Sequence, residues 1–439
     1  MLPKLNGVIV PHRKHTAAMP AVKMPAPKTV TIPMSMHIGA PAKPCVQVGD
    51  EVKVGQLIAE AGGFVSAPIH ASVSGKVTAI GPMLASNGSQ MTAITIESDG
   101  LMALSETCVP PVVTDYDSFI AAVRASGAVG LGGAGFPTSV KLDVKDTSRI
   151  QEVVINGAEC EPYITSDTRT MIDDADWVRK GVELLQKYLN VSKVVIGIEA
   201  NKPEAIAKMK ELAAANPVIN VKALPSVYPQ GGEKVLIYNC VGKIVPEGKL
   251  PIDVGVVVMN CTTLTFLAKY METGVPLVEK VLTVDGSAVA NHQNVIAPIG
   301  TSMQEVFDFC GGFKEEPKKL LYGGPMMGIA VPDASAPILK NTNAILAFNK
   351  KDAVLPEPTP CIRCGKCIAT CPLKLMPVDY ARALATGDME LLEKRKVNLC
   401  MECGCCSFVC PARRPLVENN KLAKAALRKY QMEKNGGNK

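Results

Sequence analysis

Two runs of four cysteines near the C-terminus constrain this chain more than any other feature. Three thiols at three-residue intervals lie on one tight loop, whose backbone N–H groups can point inward. The fourth cysteine leads into a helix and points away from that loop. Each run therefore has one thiol that can act as a ligand outside its own loop. The runs are Cys361-x2-Cys364-x2-Cys367-x3-Cys371 and Cys400-x2-Cys403-x2-Cys406-x3-Cys410, each followed by a proline.

The spacing C-x2-C-x2-C-x3-C-P is the one with which bacterial ferredoxins hold [4Fe–4S] clusters, and the fourth cysteine of each run ligates the other cluster. A four-cysteine zinc ribbon would instead have two C-x2-C pairs. A disulfide framework is not expected in a long chain without a secretory signal. Cys405 is expected to be a buried or spectator thiol. The predicted ligands are Cys361, Cys364, Cys367 and Cys410 for one cluster and Cys371, Cys400, Cys403 and Cys406 for the other.

Length and composition indicate a globular protein of about three domains. Of the 439 residues 47% are hydrophobic and only 4% are aromatic, so the core is expected to be aliphatic. No apolar run approaches the roughly 18 residues that cross a bilayer, and we expect any membrane role to come through partners. Aromatic interleaving and a recognition motif are both absent, so nucleic-acid binding is not expected.

Changes of pattern along the chain predict a multidomain protein of α/β plus β class. Short strands punctuated by glycine predict an N-terminal β module similar to the barrel-sandwich fold of biotinyl and lipoyl carriers. Apolar strands that alternate with helices predict a largely parallel, Rossmann-like sheet in the next domain. The predicted segments are 1–112 for the β module, 113–272 for the α/β domain, 273–349 for a further β-rich domain, 350–415 for the cysteine-rich domain and 416–439 for a basic tail.

The predicted tail carries the net charge of the protein. Residues 412–439 contain eight Lys or Arg and two Glu, which accounts for the formal net charge of +6. Such a run is more often a solvated helix face than a surface that steers acidic partners or an anionic membrane. Between the two cysteine runs, Val378–Thr386 and Met389–Lys394 are predicted to form short helices that screen the clusters from water.

A glycine-rich loop and a polar turn are the candidate small-molecule site. Gly130-Leu-Gly-Gly-Ala-Gly135 formally matches G-x-G-x-x-G, but a predicted helix precedes it instead of a strand. Four glycines still let backbone N–H groups approach a phosphate closely. Downstream, Asn156-Gly-Ala-Glu-Cys-Glu161 follows a predicted strand, where polar side chains could meet a ring or a ribose. Each segment alone is equally consistent with a tight turn.

Together these segments resemble the flavin-carrying, NADH-binding subunit of respiratory complex I. The resemblance implies a cofactor site in which Gly130, Gly132, Gly133, Lys141, Asn156 and Glu159 match flavin positions and Phe136 and Glu161 match the nicotinamide side. Tyr228-Pro-Gln-Gly-Gly-Glu233 is similar to a further motif of that family, and Asn260-Cys-Thr-Thr263 is similar to its Asn-Val-Glu-Thr turn. Leu131, Cys160 and Gly232 depart from the family pattern, in which an arginine, a serine and an acidic residue stand.

Nearly the whole chain resembles the RnfC family, a component of the Rnf complex, the ion-translocating ferredoxin:NAD⁺ oxidoreductase, in a short form. Ile69-His-Ala-Ser-Val-Ser-Gly75 and both cysteine runs are typical of that family. The resemblance implies a soluble-ligand-binding β-grasp fold for the β-rich domain and FMN, NAD(H) and two [4Fe–4S] clusters as cofactors. It also implies membrane partner subunits, ferredoxin reached through one of them, Na⁺ or H⁺ translocation and a peripheral position on the cytoplasmic side of the membrane.

The chemistry of these cofactors is consistent with one electron path. NADH exchanges two electrons as a hydride and a cubane cluster exchanges one, so a flavin is needed between them. The sequence leaves two alternatives open. One is a corrin reductase of bacterial microcompartments, which resembles the same architecture. The other is a non-catalytic wiring subunit whose glycine loop binds nothing.

Overall fold

The structure, a computed structural model, describes residues 3–86 and 88–436. Its N-terminal segment, residues 3–24, crosses other parts of the molecule, and we call it the N-terminal strap. Val8 forms an antiparallel bridge with Tyr228. The strap ends in strand β1 (Val22–Lys23), which pairs in parallel with a strand of a distant sheet. The prediction places residues 1–112 in one module, and the structure adds that the strap at the start of this segment contacts other domains.

The β module consists of two small antiparallel sheets that share one aliphatic core. Val30, Ile58, Ile69, Val77 and Ile94 are fully or almost fully buried in that core. This arrangement agrees with the predicted barrel-sandwich-like module. One sheet is ordered β2 (Thr29–Pro33), β8 (Gln90–Ser98), β7 (Gly75–Leu84), β4 (Glu51–Val52), and the other β3 (Lys43–Pro44), β5 (Leu57–Glu60), β6 (Ile69–His70).

The α/β domain has a four-stranded parallel sheet with the order β11-β10-β9-β12. In chain order this is 3-2-1-4, the order of a doubly wound Rossmann-like sheet. All six residues of β10 are buried because helices cover both faces. The elements are α1 (Tyr116–Ala125), α2 (Thr138–Leu142), β9 (Glu152–Gly157), α3 (Ser166–Asp173), α4 (Ala175–Leu189), β10 (Val194–Glu199), α5 (Pro203–Ala215), β11 (Ile219–Leu224), α6 (Glu233–Val241), β12 (Val256–Asn260) and α7 (Cys261–Thr273), with 3₁₀ turns at Thr147–Arg149 and Pro251–Val254.

The next domain is a mixed sheet built on a hairpin, a helix and three further strands. Its central strands β13 and β17 are parallel, and their outer neighbours are antiparallel to them. Strand β1 of the strap extends the sheet to six strands, in the order β1-β14-β13-β17-β15-β16. The elements are β13 (Glu279–Asp285), β14 (Gln293–Pro298), α8 (Met303–Phe309), β15 (Lys319–Tyr322), β16 (Ile329–Val331) and β17 (Ala344–Phe348).

The C-terminal domain is helical and includes the segment predicted as a tail. The last helix packs against α11, and its Ala423 and Leu427 are buried in the core of this domain. Residues 416–436 therefore form an integral helix with one apolar face. The elements are α9 (Lys350–Ala353), α10 (Lys366–Ala369), α11 (Pro377–Thr386), α12 (Met389–Lys394), α13 (Cys405–Phe408) and α14 (Leu416–Gly436), with a 3₁₀ turn at Val397–Leu399.

A helix that crosses a bilayer must be both long and apolar. Across residues 3–86 and 88–436, none of the helices combines sufficient length with sufficient apolar character to span a membrane.

The packing of α14 can be tested with two leucines of the same helix. Leu427 is 1% exposed and Leu422 is 58% exposed. Leu427→Ala is expected to lower the free energy of unfolding of the C-terminal domain by about 2–5 kcal/mol because it opens a cavity. Leu422→Ala is expected to leave it nearly unchanged. Urea titration followed by cluster absorbance measures both, and equal effects would contradict an integral α14.

Candidate functional site

The polar turns of the α/β domain meet where the strand order reverses. Asn156 of β9 and Asn260 of β12 are direct register partners near the carboxyl ends of adjacent parallel strands. In open α/β sheets, ligands bind in the crevice outside such carboxyl ends, at the point where the order reverses. Two residues predicted from separate motifs therefore lie at the position where this fold binds ligands.

The glycine loop rests on the beginning of α7, beside Asn260. The backbone N–H of Leu131 donates to Oγ1 of Thr263 at 2.9 Å, and the backbone N–H of Thr263 donates to Oδ1 of Asn260 at 3.1 Å. A Cβ at position 132 would lie 2.8 Å from Nδ2 of Asn260, so a larger residue would force Asn260 or the loop to shift. Gly130 closes the loop by donating its N–H to the carbonyl of Phe136.

The tip of this loop presents free backbone donors. Gly132, Gly133 and Ala134 are exposed. Within the part of the chain that the structure describes, their backbone N–H groups donate to no protein acceptor. Gly133 has a φ of 129°, which glycine adopts without strain. A turn with consecutive free N–H groups binds anions, so the loop fits a phosphate-bearing cofactor.

Lys141 and Asn156 border the same crevice. Nζ of Lys141 donates to the carbonyl of Val258 at 3.1 Å and pairs with Glu233 at 3.2 Å. Nδ2 of Asn156 donates to the carbonyl of Gly231 at 2.9 Å. The segment 228–233, which was singled out in the sequence, is thereby held against the ends of the strands.

Glu159 and Glu161 have protein partners in this structure. Glu159 is buried, and its carboxylate caps α3 by accepting the backbone N–H groups of Asp167 and Thr168. The carboxylate of Glu161 accepts the backbone N–H groups of Met326 and Met327, and burial raises its pKa to about 6. Contacts of Glu159 with flavin and of Glu161 with nicotinamide stay predictions.

Three residues that the sequence did not point to hold the turn after β9 and the glycine loop. They are two lysines and an asparagine. Nζ of Lys14 donates to the carbonyls of Glu159, Glu161 and Ile164. The remaining contacts come from the β-rich domain. Nζ of the fully buried Lys340 donates to the carbonyls of Pro68 and Gly127, and Nδ2 of Asn341 donates to the carbonyl of Gly133 at 2.6 Å. No sequence motif links residues so far apart.

The cysteines line two cavities, and each cavity brings together the four members of one predicted ligand set. The first cavity, which we call the inner site, is lined by Cys371, Cys400, Cys403 and Cys406, and also by Cys405. The second, the outer site, is lined by Cys361, Cys364, Cys367 and Cys410. Burial raises the pKa of the Cys406 thiol to about 12. A [4Fe–4S] cluster is held by four cysteine thiolates, so binding it requires each of these thiols to lose its proton. Both sets fit [4Fe–4S] clusters.

The two cysteine loops repeat one backbone geometry. Arg363 and Glu402, each just before the second cysteine of its run, have φ values of 56° and 59°. Gly365 and Gly404, each just after that cysteine, have φ values of 74° and 79°. These left-handed positions curl both loops around their cavities. Non-glycine residues rarely adopt them, which indicates a strongly determined conformation.

The inner site adjoins the α/β domain through Tyr228. The hydroxyl of Tyr228 donates to the carbonyl of Cys403 at 2.7 Å, and the thiol of Cys405 donates to the carbonyl of Tyr228 at 3.8 Å. Cys405 is 1% exposed, which agrees with the predicted buried thiol. Cε of Met401 lies against Gly232, where a Cβ would be 2.0 Å away. The inner site is thus next to the segment that borders the crevice.

The fold and these sites define an iron–sulfur electron-transfer protein with an FMN-type α/β domain, and family models agree. They match the RnfC Barrel sandwich hybrid domain at 4–101, the Nuo51 FMN-binding domain at 123–269, the SLBB domain at 281–330 and the 4Fe-4S dicluster domain at 360–413. The chain belongs to the RnfC family of the Rnf ion-translocating ferredoxin:NAD⁺ oxidoreductase complexes.

Individual relatives support this membership along most of the chain. One is the component designated C of the proton-translocating ferredoxin:NAD(+) oxidoreductase complex of Clostridium ljungdahlii. The chain is 42% identical to it over 408 residues, covering 91% of this chain and 88% of that protein. Another is the corresponding component of the Na(+)-translocating complex of Acetobacterium woodii, which is 43% identical over 380 residues, covering 86% of each.

A longer relative and a solved structure extend the comparison. The component designated C of the ion-translocating oxidoreductase complex of Pseudomonas aeruginosa is 40% identical over 391 residues, which cover 87% of this chain and 50% of that protein. The air-oxidized NAD⁺-reducing [NiFe]-hydrogenase has a chain with a TM-score of 0.50 and 18% identity, covering 74% of this chain and 63% of that one. At that identity the likeness concerns the fold alone.

The ligand sets can be tested by removing one thiol at a time. Cys364→Ala and Cys371→Ala are each expected to lower the iron content of the anaerobically purified chain by about half, because each removes a ligand of a different cluster. Cys405→Ala is the matched control and is expected to retain all iron. Iron analysis and electron paramagnetic resonance of the reduced protein measure these outcomes. Loss of iron in the control, or none in the ligand variants, would contradict the assignment.

Proposed function

We propose that this chain is the peripheral electron-transfer subunit of a membrane-bound ferredoxin:NAD⁺ oxidoreductase, on the cytoplasmic side of the cell membrane. It exchanges electrons between NAD(H), FMN and two [4Fe–4S] clusters, and partner subunits couple this to Na⁺ or H⁺ translocation and reach ferredoxin. The observation that carries the proposal is the contact of the inner site with the segment 228–232, which borders the strand-end crevice. Nothing in the structure or in the relatives above favours a corrin reductase.

The residues of the crevice bind and orient the cofactor in this proposal. FMN, when bound, supplies the step between two-electron and one-electron transfer. The free N–H groups around Gly132 and Gly133 hold its phosphate, and Lys141 adds a positive charge nearby. Asn260 and Thr263 hold the glycine loop, Asn156 holds the segment 228–233, and all three lie at the strand ends that face the cofactor. We further propose that Gly130, Phe136, Glu159 and Glu161 complete the flavin and nicotinamide site, within the α/β domain predicted at residues 113–272.

The exposure of the two cysteine sites supports an order of electron transfer. Cys403 and Cys406 of the inner site are buried, whereas Cys361 and Cys364 of the outer site are exposed. Ile362 in the outer loop is 67% exposed. When NADH is the electron donor, electrons therefore pass from the crevice to the inner cluster, then to the outer cluster and on to a partner subunit.

This order can be tested with chains that retain a single cluster. In Cys364→Ala, NADH is expected to reduce the remaining inner cluster at a rate close to that of the native chain. In Cys371→Ala, reduction of the remaining outer cluster is expected to be at least about tenfold slower, because its neighbour in the path is missing. Anaerobic stopped-flow absorbance with FMN-loaded protein measures both rates. The opposite ranking of the two variants would overturn the order.

The flavin site can be tested with two glycines that differ in surroundings. Gly132→Ala is expected to weaken FMN binding at least about tenfold, or about 1.4 kcal/mol, because the new methyl group collides with Asn260. Gly81→Ala, in β7, has nothing within 4 Å and is the matched control. Fluorescence titration with FMN measures the affinities. If the native chain does not bind FMN, the result favours the alternative of a non-catalytic subunit whose glycine loop binds nothing.

A further inference from the structure

Three side chains that no motif brought together converge where the N-terminal strap meets the six-stranded sheet. His15 belongs to the strap, Asp285 ends β13, and His292 lies just before β14. One candidate ligand atom from each lies within 4.8 Å of the other two. This group of three side chains is separate from both cysteine sites and from the strand-end crevice.

Asp285 is a buried carboxylate without a lysine or arginine partner. Its side chain is 0% exposed, and within residues 3–86 and 88–436 its ion-pair partners are the imidazoles of His15 and His292 alone. Its other contact is the backbone N–H of Gly286 at 2.6 Å. A carboxylate removed from water is stabilised by hydrogen-bond donors or by a cation, and a metal ion bound by the two imidazoles would supply the cation.

The distances from the two imidazoles to Asp285 are near those between ligands of one metal ion. Nδ1 of His15 lies 3.0 Å from Oδ1 of Asp285, and Nε2 of His292 lies 3.6 Å from the same oxygen. Ligand atoms about 2.0–2.1 Å from a tetrahedral zinc ion are about 3.3 Å apart. Nε2 of His292 is also 3.3 Å from the carbonyl of Gly286, to which it donates when it carries a proton.

Because both histidines are partly exposed, the group of three side chains is open to solvent on one side. The side chain of His15 is 47% exposed and that of His292 is 24% exposed, and their rings stack at 4.9 Å. An ion can therefore enter from solvent and keep a water molecule as its fourth ligand. Two imidazoles and one carboxylate form a ligand set that suits divalent first-row transition metals.

We propose that His15, Asp285 and His292 form a binding site for one divalent transition-metal ion, which ties the N-terminal strap to the six-stranded sheet. The adjacent residue Lys14 holds the turn at Glu159 and Glu161 by three hydrogen bonds. The ion thereby anchors the segment of the strap that supports the strand-end crevice. This site is additional to the electron path and does not depend on it.

Zinc binding to the cluster-loaded, full-length chain tests the proposal. Protein that retains both iron–sulfur clusters but is free of other metals is dialysed against Zn²⁺. Zinc and iron per chain are then measured together. About one zinc per chain is expected, and X-ray absorption at the zinc edge is expected to show nitrogen and oxygen ligands without sulfur. His15→Gln and His292→Gln are each expected to weaken zinc binding at least about tenfold, with iron content unchanged.

His12→Gln is the matched control, because His12 belongs to the same strap but contacts Asn201. It is expected to bind zinc like the native chain. The proposal is overturned if the native chain binds no zinc, if the zinc has sulfur ligands, or if His15→Gln and His292→Gln bind zinc as the control does.

Discussion

The burial of the Lys14 ammonium group is the interaction on which the arrangement of the crevice depends. An ammonium group has three N–H donors, and here each of them meets a backbone carbonyl of the turn that follows β9. Burial lowers the pKa of Lys14, and the charge of Glu159 opposes that change. Because a buried charge without partners is costly, strap and turn must keep this geometry together. Glu161 of this turn also contacts the hydroxyl of Tyr228 at 3.5 Å, which links the turn to the segment 228–233.

A second buried ammonium group joins three domains at the other end of the crevice. Lys340 of the β-rich domain donates to Pro68 of the β module and to Gly127, which precedes the glycine loop. Burial lowers its pKa to about 7. Asn341 then holds Gly133 at the tip of the loop. The loop is thus positioned by a domain other than its own, which leaves its N–H groups free for a ligand.

Much of the fold and of the candidate sites could be predicted because the signals are local. The cysteine spacing predicted both ligand sets, because each set consists of three neighbouring thiols of one run and the fourth thiol of the other run. The helices at Val378–Thr386 and Met389–Lys394 were predicted within a residue of α11 and α12. The predicted tail was wrong as a separate segment, because the buried face of α14 is recognised only against the helices that cover it.

The amino-acid sequence by itself determined the elements, the two cysteine loops and the glycine-rich and polar turns, because periodicity, spacing and turn chemistry act over a few residues. Only the tertiary structure decided how these parts meet. It paired Asn156 with Asn260, brought the inner site to Tyr228, gave Glu161 its backbone partners and assembled His15 with Asp285. Such contacts join residues far apart in the sequence, and they form only when the folded sheets and domains bring these residues together.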